Sequence, residues 1–317
     1  VSSSGLDLHI PPVIETNSLE KRFGSFRALD RVNLSILPGT IGLLGPNGAG
    51  KSTLIKCLLQ LHDKDGGQAS LLGKDLDRHG RETRTRIGYA PEQDCHIPGM
   101  EGCEYVTYCA QLSGLPFEAA RQRAHEMLDF VGMAQERYRK VDTYSTGMKQ
   151  RIKIAQALAH DPELVFLDEP TNGLDPKGQA LILELIEKIW KRYGISVVLS
   201  SHLLQDVDRI CEQIVIIAHG RILVHDTLKN LKARRKPEAE VILASGGERL
   251  AAICSQNEWG LENLSNGNVK ITHGMSSINR LIGTLQEGGV SVAEIKSSPN
   301  ALNELFVQAL NEGGAAV

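Results

Sequence analysis

Gly45-Pro46-Asn47-Gly48-Ala49-Gly50-Lys51-Ser52-Thr53 is the stretch that decides how this chain reads. Gly45, Gly50, Lys51 and Ser52 fall on the spacing G-x-x-x-x-G-K-[S/T] of a phosphate-binding loop. The apolar run Ile41 to Leu44 before it predicts a buried strand, and Leu54 to Leu61 after it the first turns of a helix. Such a loop must turn successive N–H groups toward one anion. Glycines at 45, 48 and 50 permit that backbone and its close approach to a phosphate. The helix start adds the positive end of a dipole. Lys51 is then placed to reach phosphate oxygens, and Ser52 to ligate a Mg2+ that travels with them. A glycine-rich turn carrying a lysine by accident would lack the flanking strand and helix.

Outward from the loop, the chain reads as alternating strands and helices. Val32, Leu34 and Ile36 alternate with polar residues before the turn Pro38-Gly39, and Ala69 to Leu72 and Ile87 to Ala90 read as further strands. Leu164 to Leu167, Ile195 to Leu199 and Ile214 to Ile217 are short apolar runs, with a helix over Ala180 to Tyr193 between them whose apolar face is read as Leu181, Leu183, Ile186 and Ile189. This alternation predicts a parallel α/β core with a small antiparallel sheet leading into it. Gly102 to Arg139 reads as helical, with Tyr105, Cys109 and Leu112 on one face. A second helix over 145–159 opens at Ser145. A helical insert over about 95–150 is more than a minimal nucleotide fold requires.

Composition narrows the function. Lys and Arg number 35 against 38 Asp and Glu, a net charge of −3, which disfavours a nucleic-acid partner. Val1 to Leu8 lacks the pattern of a secretory leader, and no run of ~18 apolar residues predicts a membrane span. The cysteines are scattered without C-x-x-C spacing, so Cys95, His96, Cys103 and Cys109 are expected to be free thiols and a histidine, not a zinc site. Asp168 and Glu169 close the apolar strand Leu164 to Leu167, where ligands bind in parallel sheets. Asp168 is placed to hold Mg2+ and Glu169 to act on an attacking water.

The remaining motifs resemble those of ABC transporter ATPases. Tyr144-Ser145-Thr146-Gly147-Met148-Lys149-Gln150-Arg151 resembles the family's signature sequence, lying as it should between the phosphate loop and the Asp-Glu pair. Thr171 to Pro176 is similar to its dimer-contact loop, with Asp175 the key residue. Ser200-Ser201-His202 resembles its switch histidine, and Phe23 matches the aromatic that stacks on adenine. The resemblance covers about residues 15–235. Thr146 stands where glycine is commoner, Met148 where glutamine is, and Glu92 rather than glutamine follows Pro91. These departures resemble the branch that exports drugs, lipids and polysaccharides. Position favours Glu92 over Gln93 as the group that senses Mg2+ and the γ-phosphate.

The resemblance implies an ATP-hydrolysing subunit that binds ATP and Mg2+. Glu169, His202 and Lys51 would be catalytic. Phe23, Gly45 to Thr53, Glu92, Ser145 to Met148 and Asp175 would bind nucleotide, and Ser52, Glu92 and Asp168 the metal. Two copies would sandwich two ATP and drive a separate transmembrane permease from the cytoplasmic face of the inner membrane. The helical insert would present the signature to the second copy and form, with the Glu92 loop, the groove for the permease. A soluble member acting on ribosomes or DNA, or a scaffold holding ATP as a structural ligand, is the alternative. One phosphate loop and no heptad repeat argue against the first. Intact Lys51, Asp168, Glu169 and His202 argue against the second.

Four spans complete the layout: a tail over 1–13, the ATPase domain over 14–232, a linker over 233–237 (Ala-Arg-Arg-Lys-Pro), and a small α+β domain over 238–317. Ala239 to Ala244, Glu248 to Gln256, Leu261 to Leu264, Val269 to Thr272, Ser277 to Gln286, Val290 to Ile295 and Asn300 to Leu310 give the order β-α-β-β-α-β and a last helix, a ferredoxin-like unit. Asn266-Gly267 marks a hairpin turn.

Overall fold

A computed structural model describes residues 11–233, 238–264, 268–273 and 278–297. The chain divides into two compact units, the first running to Leu228 and the second beginning at Lys229.

The first unit is an α/β fold. It runs β1 (Ile14–Phe23), β2 (Phe26–Ile36), β3 (Thr40–Leu44), α1 (Lys51–Leu58), β4 (Gly66–Leu71), β5 (Lys74–Asp75), α2 (Leu76–Arg84) and β6 (Ile87–Ala90). The helical insert follows as α3 (Gly102–Leu112), α4 (Phe117–Phe130) and α5 (Thr146–Leu158). Then come β7 (Leu164–Asp168), α6 (Pro176–Tyr193), β8 (Ser196–Ser201), α7 (Leu204–Ile210), β9 (Gln213–Ala218) and β10 (Arg221–Thr227), after which α8 (Leu228–Ala233) carries the chain across the boundary. The antiparallel sheet has the order β2-β1-β4-β5, and the larger sheet β10-β9-β3-β8-β7-β6. In the larger sheet β9, β3, β8, β7 and β6 are parallel and β10 pairs antiparallel at one edge. Every residue of β3, β7, β8 and β9 is buried, which explains their unbroken apolar runs. Leu34, Ile41, Ile55, Leu71, Phe166 and Val215 belong to one core, so α1 packs in a single cluster with both sheets.

Register then builds the site. Leu44 pairs with Ser201, and Ser200 with Asp168. Leu167 pairs with Ala90. The residues that leave these four neighbouring strands, Gly45, His202, Glu169 and Pro91, therefore emerge at one end of the sheet. The span read as helical over 102–139 is two α-helices, α3 and α4, followed by short 3-10 turns at Glu136–Tyr138 and Val141–Thr143, and the helix expected over 145–159 is α5. Glu101 and Glu104 form a reciprocal capping box that starts α3. Ser145 caps α5.

Two expected faces need correction. Leu112 is exposed, ending α3 outside the core that holds Tyr105. Leu181 is exposed and Ile182 buried on α6, because residues two apart, such as 181 and 183, lie on nearly opposite sides of a helix. The helices α2 and α7 and the edge strand β10 lie outside the segments expected from sequence. The charge of Leu76 to Arg84 hides any apolar stripe, and α7 is too short for a period to show.

The second unit has its own core of Val241, Leu250, Ile271, Leu281, Leu285 and Val290, all buried. It runs β11 (Glu238–Ser245), α9 (Gly247–Gln256), β12 (Gly260–Asn263), β13 (Val269–Thr272), α10 (Ile278–Glu287) and β14 (Ser291–Ser297). Its sheet order is β12-β13-β11-β14, antiparallel throughout. This is the arrangement expected of a ferredoxin-like unit. The tail over 1–10, the Asn266-Gly267 turn, the last helix and all of the 233–237 linker but Ala233 lie outside the described residues.

Separate cores lead to a prediction. A chain ending at residue 236 is expected to unfold cooperatively on heating, like the full chain. Loss of a cooperative transition in circular dichroism would mean that the two units share a core.

Candidate functional site

A cleft of about 510 Å³ opens over the phosphate loop. Asn47 to Thr53 form its floor, Phe23 and Phe26 one wall, and Glu92, Glu169, Asn172 and His202 the other. Its size is that of an ordinary small-molecule pocket. Both phenylalanines are exposed, and Phe23 meets the His62 ring edge-on with centroids 5.4 Å apart.

The loop is built as its glycines require. Gly50 precedes α1 with φ 108°, a left-handed backbone open to glycine, and a Cβ there would sit 2.8 Å from the Ala28 carbonyl oxygen. At Gly45 a Cβ would overlap the Ile217 carbonyl oxygen. The Lys51 ammonium is buried. It donates to the Gly45 carbonyl at 2.8 Å and the Pro46 carbonyl at 3.3 Å, and lies 3.3 Å from a Glu169 carboxylate oxygen. Gly45 and Pro46 thus serve through their carbonyls and do not line the cleft.

The two carboxylates divide their tasks. Asp168 is buried beneath the floor, where its Oδ1 accepts from Ser52 Oγ at 3.2 Å and from Ser200 Oγ. Glu169 turns the opposite way because its backbone is left-handed, φ 48°, which is uncommon for a residue with a side chain. Its carboxylate faces Lys51 on one side and His202 Nδ1, 2.8 Å away, on the other. Ser200 secures the turn, its Oγ accepting the Glu169 N–H at 3.1 Å. One buried hydroxyl therefore fixes both acids. Beyond them, Thr171 Oγ1 donates to buried Asp206 at 2.6 Å, and burial pushes the Asp206 carboxyl above the usual range.

Glu92 faces the cleft, its Oε1 accepting from Asn172 Nδ2 at 3.3 Å, whereas Gln93 does not line it. Ser52, Asp168 and Glu92 offer only oxygen donors, the chemistry that suits Mg2+. Ser145, Thr146, Gly147, Met148 and Asp175 do not line this cleft. They form a separate group: Ser145 Oγ accepts the Met148 N–H at 3.4 Å, and Thr146 packs beside Gly173. Asp175 caps α6 by accepting the Gly178 N–H at 3.0 Å. Ser145, Thr146 and Asp175 are exposed, while Met148 is buried.

Phe26 is a site residue that sequence reading did not single out, three residues from Phe23. Asn172 and Ser200 lie inside the quoted stretches Thr171 to Pro176 and Ser200 to His202, which assign them no role of their own. Their isolated types gave no signal, and only the register of β7 and β8 brings Ser200 under the acids.

The model of the family described as ABC transporter matches residues 29–172. A bacitracin transport ATP-binding protein of Bacillus licheniformis is 31% identical over 305 residues, covering 95% of this chain and 98% of the relative. A daunorubicin resistance ATP-binding protein of Streptomyces coeruleorubidus is 31% identical, covering 93% and 94%. Among solved structures, cbiO1 of Clostridium perfringens, part of the ABC transporter complex cbiONQ, has a TM-score of 0.64 at 25% identity, covering 70% of this chain and 91% of its own. A dimeric ATP-binding cassette in a post-hydrolysis state with ADP and Pi has a TM-score of 0.62 at 26% identity, covering 68% and 98%.

Ser200→Ala is expected to lower unfolding stability by about 0.5–1.5 kcal/mol, since the Glu169 N–H and the Asp168 carboxylate each lose one of two partners, keeping the Ser200 carbonyl and Ser52 Oγ. Denaturant titration checks this. An unchanged midpoint would show that the hydroxyl holds neither acid.

Proposed function

The chain belongs to the ABC transporter family of ATP-binding proteins, and from that premise we propose that it is the ATP-hydrolysing subunit of an exporter, working as a dimer against a separate transmembrane permease. Membership makes it an ATPase. The exporter reading rests on Thr146, Met148 and Glu92, and on the relatives named for bacitracin transport and daunorubicin resistance. Among the described residues no helix is long and apolar enough to cross a membrane; the membrane-spanning partner is proposed from the likeness to ABC transporter subunits such as cbiO1, which is part of the cbiONQ complex. The inner-membrane location at its cytoplasmic face follows from that partner.

The observation that carries the mechanism is the line Lys51–Glu169–His202 at the mouth of the loop. ATP would lie with adenine against Phe23 and its phosphates on the N–H groups of 47–53. Lys51, now shared between two carbonyls and Glu169, would turn to β- and γ-phosphate oxygens. Ser52, Asp168 and Glu92 would hold Mg2+, which when bound neutralises developing charge on the phosphates. Glu169 is buried, so its carboxylate acts in a low dielectric. It would take a proton from a water aligned with the γ-phosphate, and His202 would fix the carboxylate's orientation.

Ser145, Thr146 and Asp175 are exposed, and none of Ser145 to Met148 or Asp175 lines the cleft over their own loop. The signature would therefore serve a second chain's ATP, with the start of α5 against its phosphate. We propose a homodimer with two such sites. Residues 14–232 would form the ATPase domain and 238–317 a separate module joined through 233–237.

Glu169→Gln tests the assignment. The variant is expected to bind ATP with wild-type affinity while hydrolysing it ~10²–10⁴-fold more slowly. ATP-bound dimers should accumulate on gel filtration. Wild-type turnover would remove Glu169 from the mechanism.

A further inference from the structure

We propose that Lys153, a buried lysine on α5, is a positioning residue that fixes the backbone at Glu92 for its role at the γ-phosphate and Mg2+; this rests on the reading of Glu92 given above.

Lys153 is 2% exposed. Both of its hydrogen bonds go to main-chain carbonyls, 2.8 Å to Pro91 and 2.8 Å to Glu92. These two residues follow the end of β6, where the sheet ladder stops. Their carbonyls need donors from elsewhere. Burying an ammonium costs several kcal/mol. An apolar side chain of similar length would fill the same space without that penalty. A lysine here therefore contributes placement rather than packing. Burial draws its ammonium below the usual lysine range, and the nearby charges of Asp94, Glu92 and Asp168 oppose that shift.

Lys153 is the centre of a row. Lys149, Lys153 and Gln156 are spaced i, i+4 and i+7, on one face of α5. Lys149 pairs with Asp94 at 2.9 Å, and Gln156 Nε2 donates to the Tyr89 carbonyl at 2.7 Å. The row thus runs antiparallel to residues 94, 92, 91 and 89. The Glu92 side chain is held from the same helix by a second route. Gln150 Nε2 donates to the Asn172 carbonyl at 3.4 Å, and Asn172 Nδ2 donates to Glu92 Oε1 at 3.3 Å. The helix that begins with the signature therefore fixes both the main chain and the carboxylate of Glu92.

The test compares the full chain with Lys153→Met, Lys153→Gln and Glu92→Ala. Three quantities are read: thermal midpoint, affinity for a fluorescent ATP analogue, and the Mg2+ dependence of ATP hydrolysis. Lys153→Met keeps the stem and removes the donors. It should keep its midpoint and its nucleotide affinity. Its kcat should fall about tenfold or more, with a higher half-saturating Mg2+, as for loss of an outer partner of a metal-site group. Lys153→Gln keeps amide donors and should fall between, with kcat down about threefold. Wild-type kcat and Mg2+ dependence in folded Lys153→Met overturn the proposal. Should Lys153→Met fail to fold, Lys153→Gln decides by itself: the threefold loss at unchanged nucleotide affinity supports the proposal, and unchanged kcat overturns it. Glu92→Ala separates the two readings. If Glu92→Ala itself leaves kcat and Mg2+ dependence intact, the assignment of Glu92 fails. If it impairs them and Lys153→Met does not, only the role of Lys153 fails.

Discussion

The buried ammonium of Lys51 is the constraint around which the site is arranged. An ammonium removed from water must be satisfied from all sides. Here the Gly45 and Pro46 carbonyls and the Glu169 carboxylate do so. For the carbonyls to point inward, the loop must take a backbone that glycine adopts at Gly48 and Gly50. For the carboxylate to arrive, Glu169 must leave β7 in a left-handed turn, held by Ser200 from the neighbouring strand. The loop, the acid and the strand register thus depend on one another. The Glu169 carboxylate meets Lys51 through one oxygen and His202 through the other; on the proposed reading, a phosphate on the loop would draw Lys51 away and leave the first oxygen for water.

The same sheet explains why the acids differ. Asp168 is the last residue of β7 and points beneath the loop toward Ser52, whereas Glu169, one residue on, faces the cleft. Adjacent residues on a strand face opposite sides, and the turn at Glu169 enlarges that difference. Strand alternation and the left-handed turn at Glu169 together separate the two carboxylates, as the proposed division between metal and water would require. Ser145, Thr146 and Asp175 are exposed and lie outside the cleft over the loop. The proposed site completed by a second chain would give them a role.

Much of this was legible in the sequence because its signals are local. The loop spacing needs only nine residues, and the fully buried strands announce themselves as short apolar runs. The β-α-β-β-α-β order of the second unit was readable from period alone, since each element is short and bounded by polar turns. What escaped has no local signal. Ser200 matters through pairing with Asp168 across a strand gap, and Lys153 through two carbonyls more than sixty positions away in the chain. Neither residue type is informative by itself. The exposure of Leu112 and Leu181 follows from how the helices turn at the edges of the core, which composition does not record.

Mixing two inactive chains tests the two-chain site most directly. Lys51→Ala lacks a working loop, and Ser145→Arg lacks a working signature. Each pure dimer should trap no nucleotide. In a mixed dimer the Ser145→Arg chain offers an intact loop and the Lys51→Ala chain an intact signature, so one complete site forms. The account predicts that trapped nucleotide returns, up to one per mixed dimer. If each signature acted on its own chain's ATP, every site would carry a defect, and mixing would recover none.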